Sequence, residues 1–183
     1  MSTLHTDRLI LRPLGEPDAY AYATVRFHPA VARWLLPADD PLEAARATVE
    51  RFAEAWKRDG YGPWGLFLRR KDGGEGRLIG HGGLRRLEEF GETELLYALH
   101  PDMWGKGYAS ELGGASLKHA FDTVGLSLVF AITKPENLSS QGVMKRLGMS
   151  YRKNITYKEV EAVWFDIDRA TWQAGQNGQP EKP

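Results

Sequence analysis

The spacing of apolar residues divides the chain into a succession of strands and helices. "RLILRPL" opens as a short strand that Pro13 ends, because proline has no N–H to give a strand ladder. "EPDAYAYATVRF" puts acidic residues and a proline at the front of a helical stretch, a pattern suited to a helix start. In "PLEAARATVERFAEAWKRDG" the apolar positions Ala45, Val49, Phe52, Ala53 and Trp56 recur at helical spacing, and Gly60 supplies the stop.

Strand signals then take over. "PWGLFLRR" and "GRLIGHGGLRRL" flank the turn-rich "KDGGEG" as the arms of a hairpin, and "ETELLYALH" is a third run. A helix is predicted from about Ala109 to Phe121, followed by the strand "LSLVFAIT". "PENLSSQGVMKRLG" reads as a capped helix closed by Gly148, and "MSYRKNITY" and "VEAVWFDI" as a terminal strand pair. The order is that of a mixed α/β sheet with one parallel crossover through the glycine-led helix. Residues 1–172 read as one domain without repeat or linker, and the polar "QAGQNGQPEKP" over 173–183 as a disordered tail.

Composition narrows the function. With 183 residues the chain can bury a real core, and 24 Lys and Arg against 24 Asp and Glu leave a formal charge of zero. That balance offers no electrostatic case for a nucleic-acid partner. No apolar run has the length of a bilayer span and the N-terminus lacks a signal-peptide pattern, so no membrane partner is expected and the reading is cytoplasmic. The absence of cysteine excludes disulfides, thiolate catalysis and an acyl-cysteine intermediate. The five histidines, at 5, 28, 81, 100 and 119, show no close ligand pairing, and no metal is expected.

The chemistry concentrates in "HPDMWGKGYASELGGA", residues 100–115. Strand, glycine loop and helix in succession make an anion site, because first-turn N–H groups have no intrahelical partners and the helix dipole adds positive charge. Gly105 and Gly107 allow close approach of the main chain and positive φ, and the short Ala109 and Ser110 keep the first turn open. No stretch fits the Walker pattern. Gly105-x-Gly107-x-x-Ser110 misses only the last glycine of the dinucleotide fingerprint. It sits past mid-chain after three hairpin-like strands, the wrong context for that fold. A helix start that is merely glycine-rich is the remaining alternative.

"WGKGYASE" resembles the acyl-CoA pyrophosphate loop of the GNAT superfamily of N-acetyltransferases, with Trp104 at a position usually Gln or Arg. That departure is shared by the ribosomal-protein alanine N-acetyltransferase branch (RimL/RimJ-like). "TDRLILRPLGEPDA", "LIGHGGL", "ETELLYALHP" and "ENLSSQGVMKRLGM" are similar to successive segments of that branch, so the likeness runs over about residues 4–168. It implies an α/β (α+β) acyl-CoA N-acyltransferase fold: a mostly antiparallel mixed sheet of about seven strands, splayed between the fourth and fifth, with about four helices. It further implies acetyl-CoA as co-substrate and an amine acceptor, either a protein N-terminus or a small molecule, with a homodimer as a possible assembly.

Residue by residue, the resemblance places the pantetheine arm between "LLYALH" and "LVFAIT", where Leu99 and His100 offer main-chain contacts. A main-chain N–H near Leu99 would face the thioester oxygen. The backbone of Trp104, Gly105, Lys106, Gly107, Tyr108, Ala109 and Ser110 would take the pyrophosphate. Glu94 matches a family glutamate and is the candidate base, acting through a water; an ordinary exposed strand carboxylate is the alternative. Strand alternation gives Glu94, Leu96 and Ala98 one face and Leu95, Tyr97 and Leu99 the other, unless a bulge intervenes. Ser140 is the candidate for protonating the sulfur, ahead of Tyr151. Asn137 reads as a helix N-cap that also contacts the coenzyme. His81 could face the acceptor cleft, Trp34 and Trp64 could line it or pack in the core, and Lys145 and Arg146 could reach the coenzyme's 3′-phosphate. Arg69, Arg70 and Lys71, and the pair Arg85–Arg86, straddle turns and read as solvated charges. A coenzyme-binding sensor without catalysis would share the loop but need neither Glu94 nor Ser140, and a nucleotide-dependent oxidoreductase would be protected against heat by NAD(P) rather than coenzyme A.

Overall fold

Pro13 does end the first strand of any length, β2 (Leu9–Arg12), which pairs with a two-residue strand, β1 (Leu4–His5), too short to leave a periodic signal. The structure is a computed structural model that describes residues 2–35 and 38–177. After a 3-10 turn come α1 (Ala19–Arg26), the single-turn α2 (Pro29–Ala32) and α3 (Pro41–Asp59). The Asp40 side chain caps α3, accepting from the N–H groups of Leu42 and Glu43 at 3.0 Å each. Strands β3 (Pro63–Arg69), β4 (Glu75–Leu87) and β5 (Glu92–Leu99) form a meander. Helix α4 (Tyr108–Lys118) continues into a π-helical turn over His119–Val124, then leads to β6 (Leu128–Thr133) and α5 (Leu138–Arg146). Strands β7 (Ser150–Tyr157) and β8 (Val160–Asp168) and helix α6 (Arg169–Asn177) follow.

Among the described residues one sheet of eight strands runs in the order β1-β2-β3-β4-β5-β6-β8-β7. Every neighbouring pair is antiparallel except β5–β6, the crossover through α4, whose ladder consists of the single pairing Glu94↔Phe130. The splay therefore falls where it was expected, between the strands read as fourth and fifth; β1 raises the count from seven to eight. The helices number six among the described residues, α2 and α6 being the additions. Helix α6 runs into the segment read as tail. Asp168 Oδ1 accepts from Thr171 N–H at 2.7 Å, and Trp172 packs on Phe121 with ring centroids 6.2 Å apart, so residues 173–177 extend an anchored helix. Residues 178–183 lie outside the described residues.

The two faces of the sheet bury different things. Toward α4 and α5 lie Leu9, Leu11, Trp64, Leu66, Leu84, Leu95 and Leu99, with Leu112 of α4 packed against them. Toward α1 and α3 lie Ile10, Leu14, Tyr22, Val49, Phe52 and Phe67. In β4 the alternation is reset by a register shift opposite Leu66 and Phe67, so Ile79 packs with the first set while His81 touches Tyr22 and Phe52 of the second. Strand β5 pairs with β4 without a shift, and the expected division holds: Leu95, Tyr97 and Leu99 join the α4 side, opposite Glu94. No helix among the described residues is long and apolar enough to cross a membrane.

Candidate active site

After β5 the chain makes a 3-10 turn over Pro101–Met103, capped by His100, whose Nδ1 accepts from Asp102 N–H at 3.3 Å. The Trp104 indole N–H donates to the Leu99 carbonyl at 2.8 Å and ties the loop back to the strand end. Gly105 has φ +71° and Gly107 φ +82°, left-handed conformations that side chains disfavour. Gly107 is the N-cap of α4, and the first bond of the helix runs from Glu111 N–H to Gly107 O at 3.0 Å. The N–H groups of Gly107, Tyr108, Ala109 and Ser110 thus have no partner inside the helix and stand at its positive end. A side chain built at Gly105 would meet nothing within 4 Å, so the loop is open on that side. These residues fit a diphosphate, received by main-chain donors. Arg146 Nε lies 3.4 Å from Ser110 Oγ, which brings the end of α5 to the same turn. An open hollow of about 700 Å³ adjoins the loop, lined by charges of both signs: Arg8, Arg69, Arg70 and Lys71 with Asp7 and Asp72, beside Tyr108.

The strands part just beyond Glu94. Since His100 N–H donates to Ile79 O on β4 at 2.8 Å, alternation turns the Leu99 N–H away from β4, toward the gap left by β6. Its carbonyl is already engaged by Trp104, so the N–H is what Leu99 can offer an arm laid in the gap. Further back along β5, the Tyr97 hydroxyl donates to the Ser140 carbonyl at 3.1 Å and lies 2.9 Å from Ser140 Oγ. Burial pushes the Tyr97 hydroxyl up to about 12, so it stays protonated at neutral pH. Ser140 is held from the other side as well: its N–H donates to Asn137 Oδ1 at 3.2 Å, Asn137 being the N-cap of α5. Tyr151 is half exposed and its hydroxyl is committed to Asn154 Oδ1 at 3.0 Å. The structure thus joins Tyr97 to Ser140 and leaves Tyr151 out of that pair.

On the opposite face Glu94 is only 4% exposed, which rules out the ordinary exposed carboxylate. Its partner is Arg85, directly across the β4–β5 ladder, whose Nε donates to Oε2 at 3.0 Å and whose Nη2 reaches the same oxygen. Burial pushes the Glu94 carboxyl above its usual range, and the charge of Arg85 opposes that rise. Local sequence makes Arg85 a solvated charge; it sits inside β4, and only the strand register reveals which carboxylate it meets.

Other expectations resolve differently. Trp64 is fully buried, with its indole N–H donating to Ser2 O at 2.9 Å, so it belongs to the core. His81 is enclosed by Tyr22 and Phe52 with no partner at Nδ1, and burial pushes its imidazole down to about 3, leaving it neutral. His100 serves as a turn cap whose ring meets that of His28 at 5.1 Å. Trp34 carries the Arg33 guanidinium over its ring at 4.2 Å, and Lys134 Nζ donates to Arg33 O at 3.1 Å, so the turn after α2 is tied to the end of β6.

A splayed sheet, a glycine loop that opens a helix at the parting strand and polar side chains on both faces of the gap define an acyl-coenzyme A transferase architecture. Residues 8–150 match the acetyltransferase (GNAT) domain, and the chain belongs to that family of acetyl-CoA-dependent acetyltransferases. The uncharacterized N-acetyltransferase YoaA of Bacillus subtilis is 30% identical over 147 residues, 79% of this chain and 81% of that one. The FsC-acetyl coenzyme A-N(2)-transacetylase of Aspergillus fumigatus is 26% identical over 188 residues, 93% of this chain and 77% of that one. Among solved structures, the acetyltransferase from Agrobacterium tumefaciens superposes with TM-score 0.79 at 27% identity, covering 92% of this chain and 95% of that one.

Proposed function

We propose that the protein transfers the acetyl group of acetyl-CoA to a primary amine, a protein N-terminal α-amine or a small-molecule amine, by direct attack in a ternary complex. The observation that carries this reading is the placement of a buried carboxylate at the apex of the splay, with a pair of hydroxyls on the opposite face. Coenzyme held by the loop would lay its arm back along β5, past Leu99, toward Tyr97 and Ser140. The amine would then approach from the face of Glu94.

Attack forms the C–N bond and breaks the C–S bond; the amine loses a proton and the thiolate gains one. Glu94 takes the first through a water, which asks less of it for an α-amino group, titrating near 8, than for a lysine, near 10.4. Ser140, oriented by Asn137 and Tyr97, sits to donate to the departing sulfur. A serine hydroxyl is a weak acid, so its contribution is a hydrogen bond that strengthens as charge develops.

Thiol release measured against a panel of amines tests the function. Acceptor-dependent release of coenzyme A supports it; tight acetyl-CoA binding without such release would make the protein a sensor. Ser140→Ala is expected to lower kcat about tenfold, the worth of one hydrogen bond to a charged group, with KM for acetyl-CoA nearly unchanged. An unchanged kcat would remove Ser140 from the reaction.

A further inference from the structure

We infer that Thr6, Arg8 and Glu111 are positioning residues that hold the phosphate loop in its receiving shape and cancel a carboxylate standing beside the bound anion. This rests on the reading of that loop as the coenzyme A site. Thr6 and Arg8 lie between β1 and β2, about a hundred residues from the loop in sequence, in an opening segment whose likeness to the family assigns them no role.

The contacts form a closed set. Thr6 Oγ1 donates to Glu111 Oε1 at 2.6 Å, and the Arg8 main-chain N–H donates to the same oxygen at 2.9 Å. Arg8 Nε donates to Glu111 Oε2 at 2.7 Å, and Nη2 forms an ion pair with the same oxygen at 2.7 Å. The remaining guanidinium nitrogen, Nη1, donates to the Lys106 carbonyl at 2.8 Å. The guanidinium lies over the Tyr108 ring, 4.4 Å from its centroid, and a side chain built at Gly107 would come within 3.4 Å of Nη2. Arg8 is itself fixed, since its carbonyl accepts from Arg69 N–H at 2.8 Å. A single side chain therefore grips the loop between its two glycines and the first turn of α4 beyond it.

Two physical consequences follow. Glycines make the loop costly to order, and any part of that cost met before the ligand arrives is returned as affinity. The second consequence is electrostatic. Glu111 sits in the first turn of α4, where a carboxylate suits the helix dipole but repels a diphosphate seated on the same N–H groups. The guanidinium neutralises it through Oε2 and turns the Lys106 carbonyl toward the cation and away from the ligand. Loss of Arg8 would thus do two things: loosen the loop and uncover a negative charge.

Calorimetric titration of the full chain with coenzyme A, alongside steady-state kinetics, separates these effects. Arg8→Ala is expected to raise Kd for coenzyme A and KM for acetyl-CoA by about tenfold or more while kcat stays within about twofold. Adding Glu111→Ala to Arg8→Ala should recover part of the affinity, because the uncovered carboxylate is gone. Arg8→Lys keeps a cation beside Glu111 but lacks the fork that also reaches Lys106; it should fall between, and it reads the contact if Arg8→Ala does not fold. A fall in melting temperature with unchanged Kd in Arg8→Ala would overturn the inference, as would a double variant that binds no more tightly than the single one. No binding heat from the unaltered protein would instead refute the coenzyme reading itself.

Discussion

Gly107→Val is expected to weaken coenzyme A binding by about a hundredfold or more while leaving the protein folded. At φ +82° a β-branched residue strains the backbone by about 1–2 kcal/mol, and its Cβ would press on the Arg8 guanidinium 3.4 Å away. The backbone would escape by turning the peptide, which swings the N–H groups of Gly107 and Tyr108 away from the anion. Each charge-assisted hydrogen bond lost costs about 1.5–3 kcal/mol, so two losses, or one together with strain, reach the hundredfold mark. Circular dichroism checks that the fold persists, since the loop lies outside the core clusters. Calorimetry reads the affinity, and a Gly107→Val protein that binds coenzyme A as tightly as the unaltered one would remove the loop from the site.

The second large effect is expected at Glu94. Glu94→Gln keeps the size of the side chain and an acceptor for Arg85, but it cannot take a proton, and kcat should fall about a hundredfold or more at neutral pH. The pH profile carries the stronger test. Burial raises the Glu94 carboxyl above the usual range, and a base works only when deprotonated, so activity should disappear as pH falls through that raised value. In Glu94→Gln that acid limb should vanish, leaving a low rate whose pH dependence follows the amine alone. If kcat is unchanged and the limb persists, the acceptor arrives already neutral and Glu94 serves only to neutralise Arg85.

Much of this molecule is legible in one dimension. The helical spacing of Ala45, Val49, Phe52 and Trp56 gives α3 and its buried side, and Asp40 and Asn137 act as the caps their residue types favour. The glycine loop is legible for the same local reason: positive φ, an open first turn and a following helix are properties of adjacent residues. Elements below one period of their own signal were not, which is why the two-residue β1 and the single-turn α2 went unread.

The site divides along the same line. Sequence by itself determined the glycine loop ahead of α4, the choice of Glu94 and Ser140 as polar residues to watch, and the splayed mixed sheet, because each rests on local pattern or on the likeness of whole segments. Tertiary structure alone decided their partners. Arg85 meets Glu94 through strand register, Tyr97 meets Ser140 across the gap between β5 and α5, and Arg8 meets Glu111 and Lys106 from the far end of the chain. Hydrogen bonds and desolvation act over a few ångströms of space, whatever the separation along the chain, so the partners that set the charge and orientation of these groups become visible only once the sheet has closed around them.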